Sequence, residues 1–216
     1  MYLLTAATES ELAGVRSWSA QSAQLDLLTC GVGPVEAAIS LTRHLASQAL
    51  NIFGVIHFGI AGGYEGGAEV LDLCLATKES FGDIGICFLN DIISLEPAFA
   101  PPTEFLLDPN LLEIAAHCLA GVGFDYRLGP FVTVAGVSGT GDRGKMLRTR
   151  FGAICENMEG ASVARVCELF QVPCLEIRCV SNSVIDRKSQ VWQTEKAIHH
   201  CQLAVKHIVE ELLNAR

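Results

Sequence analysis

The sequence of 216 residues predicts a single α/β domain, with a mixed central β-sheet flanked by helices. Short apolar segments of strand length alternate with longer segments whose apolar residues return every three or four positions, as on one face of a helix. Twenty glycines allow the many tight turns that this alternation needs. Because no repeat, low-complexity tract or charged linker divides the chain, we expect residues 1–216 to form one domain with a sizeable core.

The composition argues against several classes of partner. The net charge is -9, whereas a nucleic-acid groove needs a basic patch. No apolar run reaches the roughly 18 residues of a membrane span, and the N-terminal segment lacks the basic start of a signal peptide. We therefore expect a cytoplasmic protein without nucleic-acid or membrane partners. Its nine cysteines, which form no CxxC pair, are expected to be reduced and buried.

Two carboxylates, Glu9 and Glu11, follow a short apolar strand at residues 2–5. A loop with carboxylates after the first strand is a plausible part of a catalytic site. Carboxylates are also favoured at the start of a helix, where they interact with the helix dipole. On residue type alone, both interpretations remain open.

A glycine-containing turn at residues 31–36 joins a second strand, residues 25–30, to a helix with Pro34 in its first turn. A dinucleotide-binding loop would have a similar pattern. However, Glu36 replaces the third glycine of that motif, and the next strand, residues 54–58, ends without the carboxylate that binds ribose. We therefore expect no dinucleotide cofactor.

A second glycine-rich turn follows the strand at residues 54–58. Gly62 and Gly63 allow backbone N–H groups to approach a flat ring or a ribose, so Ala61 and Gly62 are candidate substrate-binding residues.

The later segments continue the alternation of strands and helices. We expect a pair of strands at 70–77 and 84–88, helices at 111–119 and 142–150, a strand beginning at 131, and an amphipathic helix at 192–214. Adjacent His199, His200 and Cys201 would diverge around that last helix, which is poor geometry for a shared metal ion. We expect no metal site.

The segment from Glu156 to Asn182 carries the strongest signal. Its apolar residues follow a helical pattern up to Phe170, and Pro173 is expected to end that helix. An apolar strand then runs to the polar pair Ser181 and Asn182. Since ligands bind at the carboxyl ends of strands in parallel α/β sheets, we expect the helix start and this strand end to meet in one pocket.

These residues also resemble a known family. Asn157-Met-Glu-Gly-Ala161, about ten residues of helix, Val172-Pro173 and Arg178-Cys-Val-Ser-Asn182 are similar to motifs of the nucleoside phosphorylases and nucleosidases. In methylthioadenosine/adenosylhomocysteine nucleosidases the motifs typically read Met-Glu-(Gly/Ala)-Ala and Arg-Ala-Ile-Ser-Asp. The asparagine, followed by an arginine and a tryptophan, more closely resembles the futalosine hydrolases of menaquinone biosynthesis.

The resemblance implies a nucleoside phosphorylase-like fold and roles for several acidic and apolar residues. Glu11 would activate water, with Glu9 as the neighbouring alternative. Glu159 would hold the ribose hydroxyls and stabilise positive charge on the sugar. Met158 would pack on the apolar face of the sugar, next to Asn157 of the same motif.

The resemblance also implies that the loop after the strand beginning at 131 lines the base, which makes Val137, Ser138 and Thr140 candidates; a plain glycine-serine loop is the alternative. Phosphorylases of this family usually bind phosphate with an arginine and a serine, and here His57 and Ile60 stand in those positions. Water is therefore the expected acceptor. The resemblance further implies a homo-oligomer, in which the loop at 96–105 covers the partner's 5′-substituent pocket.

Asn182 is expected to select the purine. Its NH2 group can donate to the oxygen of a 6-oxopurine, and its carbonyl can accept from a protonated N7. A simple turn residue after a strand is the alternative. We expect Arg178 to hold the loop that faces the purine rather than to pair with Glu176, on the assumption that these two side chains point to opposite faces of the strand.

Trp192 and Arg187 have the apolar surface and the positive charge that the carboxyphenyl ketone of futalosine requires, with Lys188 as a competing cation. The expected reaction is hydrolysis of a purine nucleoside, futalosine, to hypoxanthine and dehypoxanthine futalosine, without a metal or organic cofactor. The alternatives are an adenine-type nucleosidase, a purine phosphorylase, and a non-catalytic binding protein of the same fold.

Overall fold

The computed structural model describes residues 1–19, 22–48, 51–88 and 91–214. The strands are β1 (Tyr2–Ala6), β2 (Leu25–Thr29), β3 (Gly54–Gly63), β4 (Leu73–Phe81), β5 (Ile86–Cys87), β6 (Ile92–Ile93), β7 (Glu104–Leu106), β8 (Tyr126–Thr133), β9 (Cys155–Asn157) and β10 (Cys174–Ser183). The helices are α1 (Glu9–Ser19), α2 (Pro34–Gln48), α3 (Pro109–Gly121), α4 (Gly141–Phe151), α5 (Gly160–Phe170) and α6 (Thr194–Asn214).

The main sheet is mixed, as predicted. Its order is β10-β4-β8-β9-β3-β1-β2, and β7 pairs with β4. β10 also pairs with β3, so β3, β10, β4, β8 and β9 form a closed circuit. β1, β2, β3 and β10 run parallel, whereas β4 runs antiparallel to β10 and β9 runs antiparallel to β3.

Helices cover both faces of this sheet because successive strand residues point in opposite directions. On β1, Leu3 belongs to the core packed against α2 and α5, and Leu4 to the core packed against α1, α3 and α6. Val55 and Ile56 of β3 divide in the same way. The predicted α/β domain with helices around a mixed sheet is confirmed.

Several boundaries differ from the sequence prediction. β5 pairs with β6 in a separate two-stranded sheet rather than with β4. Helix α5 ends before Pro173, because Gln171 adopts the left-handed conformation and its N–H caps the helix. β10 continues through Asn182, and Trp192 precedes α6.

The cysteines are free thiols, and all except the exposed Cys87 are buried. Among the helices of the described ranges, none combines the length and the apolar character that crossing a membrane requires.

Candidate active site

A cavity of about 190 Å³ lies where β1, β3 and β10 end, beside the turns that follow β2, β8 and β9. The parallel pairing of β1, β3 and β10 brings their carboxyl ends to one edge of the sheet. All but one of the predicted site residues line this cavity. They are Glu11, Ala61, Gly62, Val137, Ser138, Asn157, Met158, Glu159, Arg178, Ser181, Asn182, Arg187 and Trp192.

Thr140 is the exception. Its side chain caps helix α4 by accepting a hydrogen bond from the Arg143 N–H, and it is not part of the cavity lining. The loop of small residues therefore divides in two, because Val137 and Ser138 face the cavity while Thr140 starts a helix.

The cavity also contains residues that were not predicted as site residues, chiefly Thr8, Val32, Glu156 and Gln190. Glu156 directly precedes the recognised motif, and Val32 lies between the two glycines of the turn at 31–33. Their positions beside predicted residues are the signal that could have identified them.

Glu11 is fixed by a reciprocal capping box at the start of α1. Its Oε2 accepts hydrogen bonds from the Thr8 backbone N–H (2.9 Å) and hydroxyl (2.7 Å), and its own N–H donates to Thr8 Oγ1 (3.3 Å). Its Oε1 accepts from the Ile60 N–H at 3.2 Å. Glu9 instead lies on the surface, paired with Arg16. The geometry therefore favours Glu11 over Glu9 as the candidate acid that activates water.

Glu159 lies at the start of α5 with its carboxylate held from two sides. Oε1 accepts a hydrogen bond from the Gly33 N–H at 2.9 Å, and Oε2 lies 3.5 Å from Arg178 Nη2. Gly33 has φ of 92°, a conformation that favours glycine, and this turns its N–H toward the acid. Burial raises the pKa of Glu159, while Arg178 and the Gly33 N–H oppose that rise.

Arg178 is 1% exposed and links the acids of the site. Its Nε donates to Glu176 Oε1 at 2.8 Å, and its Nη1 donates to the Ile60 carbonyl at 3.3 Å. The expectation that Glu176 would not pair with Arg178 was wrong, because residues two apart on a strand point to the same face. Burial alone would lower the pKa of Arg178, but Glu176, Glu159 and Glu11 raise it overall.

His57 completes the surroundings of this guanidinium. Its Nε2 lies 2.6 Å from Arg178 Nη2, and its Nδ1 lies 3.1 Å from the Thr5 carbonyl oxygen. These contacts require a proton on Nδ1 and none on Nε2. Burial and the Arg178 charge lower the pKa of His57 well below its usual value, so the ring is neutral.

Glu79 is a further buried acid, and it is hydrogen-bonded to Thr133 and to Asn157 next to Met158 and Glu159. Its Oε2 accepts from the Thr133 hydroxyl at 2.9 Å, and its Oε1 accepts from the Asn157 amide. Burial, and then the neighbouring Glu176, raise the pKa of Glu79 well above its usual value. A side chain at Gly160 would overlap both carboxyl groups, so glycine is required at the start of α5.

Asn157 is a positioning residue as well as part of the lining. Its Oδ1 accepts hydrogen bonds from the backbone N–H groups of Glu159 (2.9 Å) and Gly160 (2.8 Å). It therefore connects the Glu79 carboxyl to the turn that carries Met158 and Glu159.

Ser181 and Asn182 both line the cavity because the pairing of β10 with β3 shifts between Val180 and Asn182. The Ser181 hydroxyl donates to Asn182 Oδ1 at 3.0 Å, and Asn182 Nδ2 donates to the Ser183 carbonyl at 3.3 Å. Counting the hydrogen bonds within the described residues, a ligand can use one further N–H and one further lone pair of this amide.

Arg187 and Trp192 stand together on the cavity wall. The Arg187 guanidinium carbon lies 4.8 Å from the centroid of the Trp192 ring, a cation–π distance, and Trp192 is 41% exposed. The Arg187 N–H donates to the Gly139 carbonyl at 3.0 Å, which ties this wall to the loop after β8.

A larger depression of about 470 Å³ lies elsewhere, between Phe81, Pro101 and Arg150. It contains none of the converging acids, so volume alone does not identify the functional site. In the described ranges, no group of three or more His, Cys, Asp or Glu side chains is arranged to hold a metal ion.

The fold and the site together define an α/β domain in which three buried acids, Glu11, Glu156 and Glu159, and the Asn182 amide line one cavity. The family model described as the phosphorylase superfamily matches residues 23–214. The chain belongs to this family.

Relatives in the family include futalosine hydrolases and 5′-methylthioadenosine/S-adenosylhomocysteine nucleosidases. The chain is 32% identical over 195 residues to the futalosine hydrolase of Thermus thermophilus, covering 88% of this chain and 83% of that protein. It is 29% identical over 225 residues to the 5′-methylthioadenosine/S-adenosylhomocysteine nucleosidase of Shewanella denitrificans, covering 97% and 92%.

Solved structures share the fold over almost the whole chain. The 5′-methylthioadenosine/S-adenosylhomocysteine nucleosidase of Helicobacter pylori aligns with a TM-score of 0.82 at 20% identity, covering 97% of both chains. The native futalosine hydrolase of Helicobacter pylori strain 26695 aligns with a TM-score of 0.82 at 18% identity, also covering 97% of both chains.

The two buried acids beneath the site should respond differently to amide substitution. Glu176→Gln removes the anion next to buried Arg178 and should lower the free energy of unfolding by about 3–5 kcal/mol. Glu79→Gln loses at most one hydrogen bond, a cost of about 1–2 kcal/mol. Because the folded-state pKa of Glu79 is raised, its contribution to stability is full below the ordinary value of 4.5 and declines as the pH rises.

The decrease in the free energy of unfolding caused by Glu79→Gln should therefore be smaller at pH 8 than at pH 5. Urea unfolding at both pH values would measure it. Equal losses for the two variants at both pH values would contradict this account.

Proposed function

We propose that residues 1–216 form one nucleosidase domain that hydrolyses futalosine to hypoxanthine and dehypoxanthine futalosine, acting as a cytoplasmic homo-oligomer. The observation that carries this proposal is the position of the Asn182 amide, in the same cavity as Met158 and Glu159. The similarity to a futalosine hydrolase and to a 5′-methylthioadenosine/S-adenosylhomocysteine nucleosidase supports cleavage of a purine N-glycosidic bond.

Glu11 and Glu159 have separate roles in the reaction at the sugar. Glu11 has its Oε2 occupied by Thr8, whereas its Oε1 accepts one hydrogen bond, from the Ile60 N–H, and keeps a lone pair to orient and deprotonate water. The Glu159 carboxylate accepts hydrogen bonds from the ribose hydroxyls and stabilises the positive charge that develops on the ring. Met158 packs on the apolar face of the sugar.

Water is favoured over phosphate as the acceptor. His57 is neutral and already bonded to Arg178 and Thr5. Ile60 offers an apolar side chain to the cavity, and the Arg178 guanidinium is already in contact with Glu176, Glu159, His57 and a backbone carbonyl. At positions 57 and 60, a phosphate ion would therefore find neither a free cation nor a hydroxyl.

Asn182 favours a 6-oxopurine. Its spare N–H donates to O6, and its carbonyl accepts from protonated N7, so the departing hypoxanthine is held by a matched pair of bonds. A 6-aminopurine would place its amino group opposite the amide N–H, leaving buried donors unmatched at a cost of about 1–3 kcal/mol each.

The wall formed by Arg187 and Trp192 suits the rest of futalosine. The cavity of about 190 Å³ is smaller than the roughly 300 Å³ at which ligand pockets usually begin, so a purine and a ribose fill it. The 5′-substituent then extends toward the exposed edge, where Trp192 offers an aromatic face and Arg187 offers a cation for the carboxylate.

The decisive assay compares futalosine, methylthioadenosine and inosine, each with and without phosphate. We expect hypoxanthine release from futalosine at a rate that phosphate does not change, because water is the acceptor. Chromatography of the products would measure it. Release of hypoxanthine from inosine that requires phosphate would contradict the proposal, as would a preference for methylthioadenosine.

Matched acid variants are the control for this assay. Glu11→Gln should lower kcat by about 100-fold or more, the usual scale of general base catalysis. Glu9→Gln, on the surface beside Arg16, should retain the activity of the parent chain. Similar rates for all three proteins would mean that Glu11 is not the base.

Exchange of the amide for an acid tests the purine preference. Asn182→Asp should lower kcat/KM for futalosine by about tenfold or more, because the N–H that donates to O6 is lost. The ratio of kcat/KM for methylthioadenosine to that for futalosine should rise. An unchanged ratio would show that residue 182 does not select the purine.

The proposed homo-oligomer is supported by apolar side chains beside the cavity. Val35 and Ile39 of α2 are 66% and 49% exposed, and Val32, which lines the cavity, is also exposed. An exposed apolar patch of this kind is typical of a protein interface.

Sedimentation equilibrium should give a dimer or a larger assembly, and Val35→Asp should shift it toward monomer. Leu203→Asp, on α6 in the opposite helical layer, is the matched control and should not. A monomeric parent chain would contradict this part of the proposal.

A further inference from the structure

Glu156 is a buried acid on the cavity wall that the chemistry above does not use. It is 3% exposed and lies on β9 directly opposite Gly62 of β3. A methyl group added at Gly62 would lie 3.5 Å from Glu156 Cγ and 3.6 Å from Asn182 Nδ2. Glu156 and the purine-selecting amide therefore flank the same backbone position.

The neighbours of the Glu156 carboxylate donate hydrogen bonds to it. Oε1 accepts from the Ser138 N–H at 2.7 Å, and Oε2 accepts from the Ser138 hydroxyl at 2.6 Å and from the Tyr64 hydroxyl at 3.0 Å. Arg143 donates to the Ser138 hydroxyl at 3.3 Å and places a positive charge behind this group.

A carboxylate has about four acceptor positions. Three are used by donors within the described part of the chain, which leaves Oε1 able to accept one more hydrogen bond on a wall of the cavity. The group is thus an acceptor toward any ligand, and a donor on the ligand is its natural complement.

The two classes of purine differ in their hydrogen-bonding groups at ring positions 1 and 6. A 6-oxopurine has an acceptor at O6 and a donor, N1–H, at the adjacent ring position. A 6-aminopurine reverses both, with a donor at the amino group and an acceptor at N1. An amide N–H beside a carboxylate matches the first pattern at both positions and opposes the second at both.

We propose that Glu156 is a second specificity residue, which accepts the N1–H of the 6-oxopurine while Asn182 binds O6 and N7. This inference rests on the proposed function, because it concerns the purine that the same cavity holds. In this proposal, two residues on separate strands, rather than one, distinguish 6-oxopurines from 6-aminopurines.

A purely structural role for Glu156, in which it only holds the loop of Ser138, predicts a different result. Replacing Glu156 would then loosen that loop and weaken the binding of every purine to the same extent. If Glu156 accepts a hydrogen bond from N1–H, its replacement would selectively weaken the binding of 6-oxopurines. Loss of its negative charge would also relieve the repulsion of the N1 lone pair in 6-aminopurines.

The test measures kcat/KM for futalosine and for its 6-amino analogue with the parent chain, Glu156→Gln and Tyr64→Phe. Glu156→Gln keeps the shape but replaces a charged acceptor with a neutral amide. We expect the ratio of futalosine to the 6-amino analogue to fall about tenfold, the difference between a charged and a neutral hydrogen bond. Tyr64→Phe, which removes one bond to Glu156 but keeps its charge, should change both substrates equally.

An equal loss on both substrates in Glu156→Gln would overturn the role of Glu156, while the proposed function would stand if the parent chain still prefers futalosine. A parent chain that prefers the 6-amino analogue would overturn both. If Glu156→Gln does not fold, inhibition of the parent chain decides. Hypoxanthine should then inhibit at least about tenfold better than 1-methylhypoxanthine, which lacks the N1–H, and equal inhibition would overturn the inference.

Discussion

The buried guanidinium of Arg178 is the constraint on which the site depends. A cation without access to water is tolerated only when anions and acceptors surround it, and here Glu176, Glu159 and His57 do so. Each of these partners comes from a different element: β10 itself, the start of α5, and β3. The charge therefore links the sheet to Glu159 at the start of helix α5.

The same constraint explains why the chain can be a hydrolase rather than a phosphorylase. Arg178 is held in place by fixed protein groups, so its charge is not available to a mobile anion. The neighbouring His57 is neutral because burial, and then the charge of Arg178, lower its pKa well below the usual value. In the proposed reaction, the negative charges of Glu11 and Glu159 then act on water and on the sugar. Charge balance inside the protein therefore limits which nucleophile the cavity accepts.

Much of this arrangement could be predicted from the sequence, because it depends on local spacing. The Met158–Glu159 turn and the Ser181–Asn182 pair lie at a helix start and a strand end, and such ends converge in parallel sheets. Contacts between distant segments were harder to predict. Nothing in the spacing indicated that Glu79 would lie below α5, or that the short strand β5 would leave the main sheet. The error at Glu176 was different, because the two-residue period of a strand already placed it beside Arg178.

Charge also constrains the part of the cavity that contains Glu156 and Asn182. Glu156 and Asn182 flank Gly62, so an aspartate at position 182 would place a second carboxylate close to the first in a buried setting. Like charges that share such a site cannot both remain ionised without cost. A neutral amide avoids that cost, and it also supplies the N–H that a carboxylate lacks. The asparagine is therefore suited to its neighbour as well as to O6 of the base. Under the proposed function, the choice of purine thus depends on the pair of residues and not on residue 182 alone.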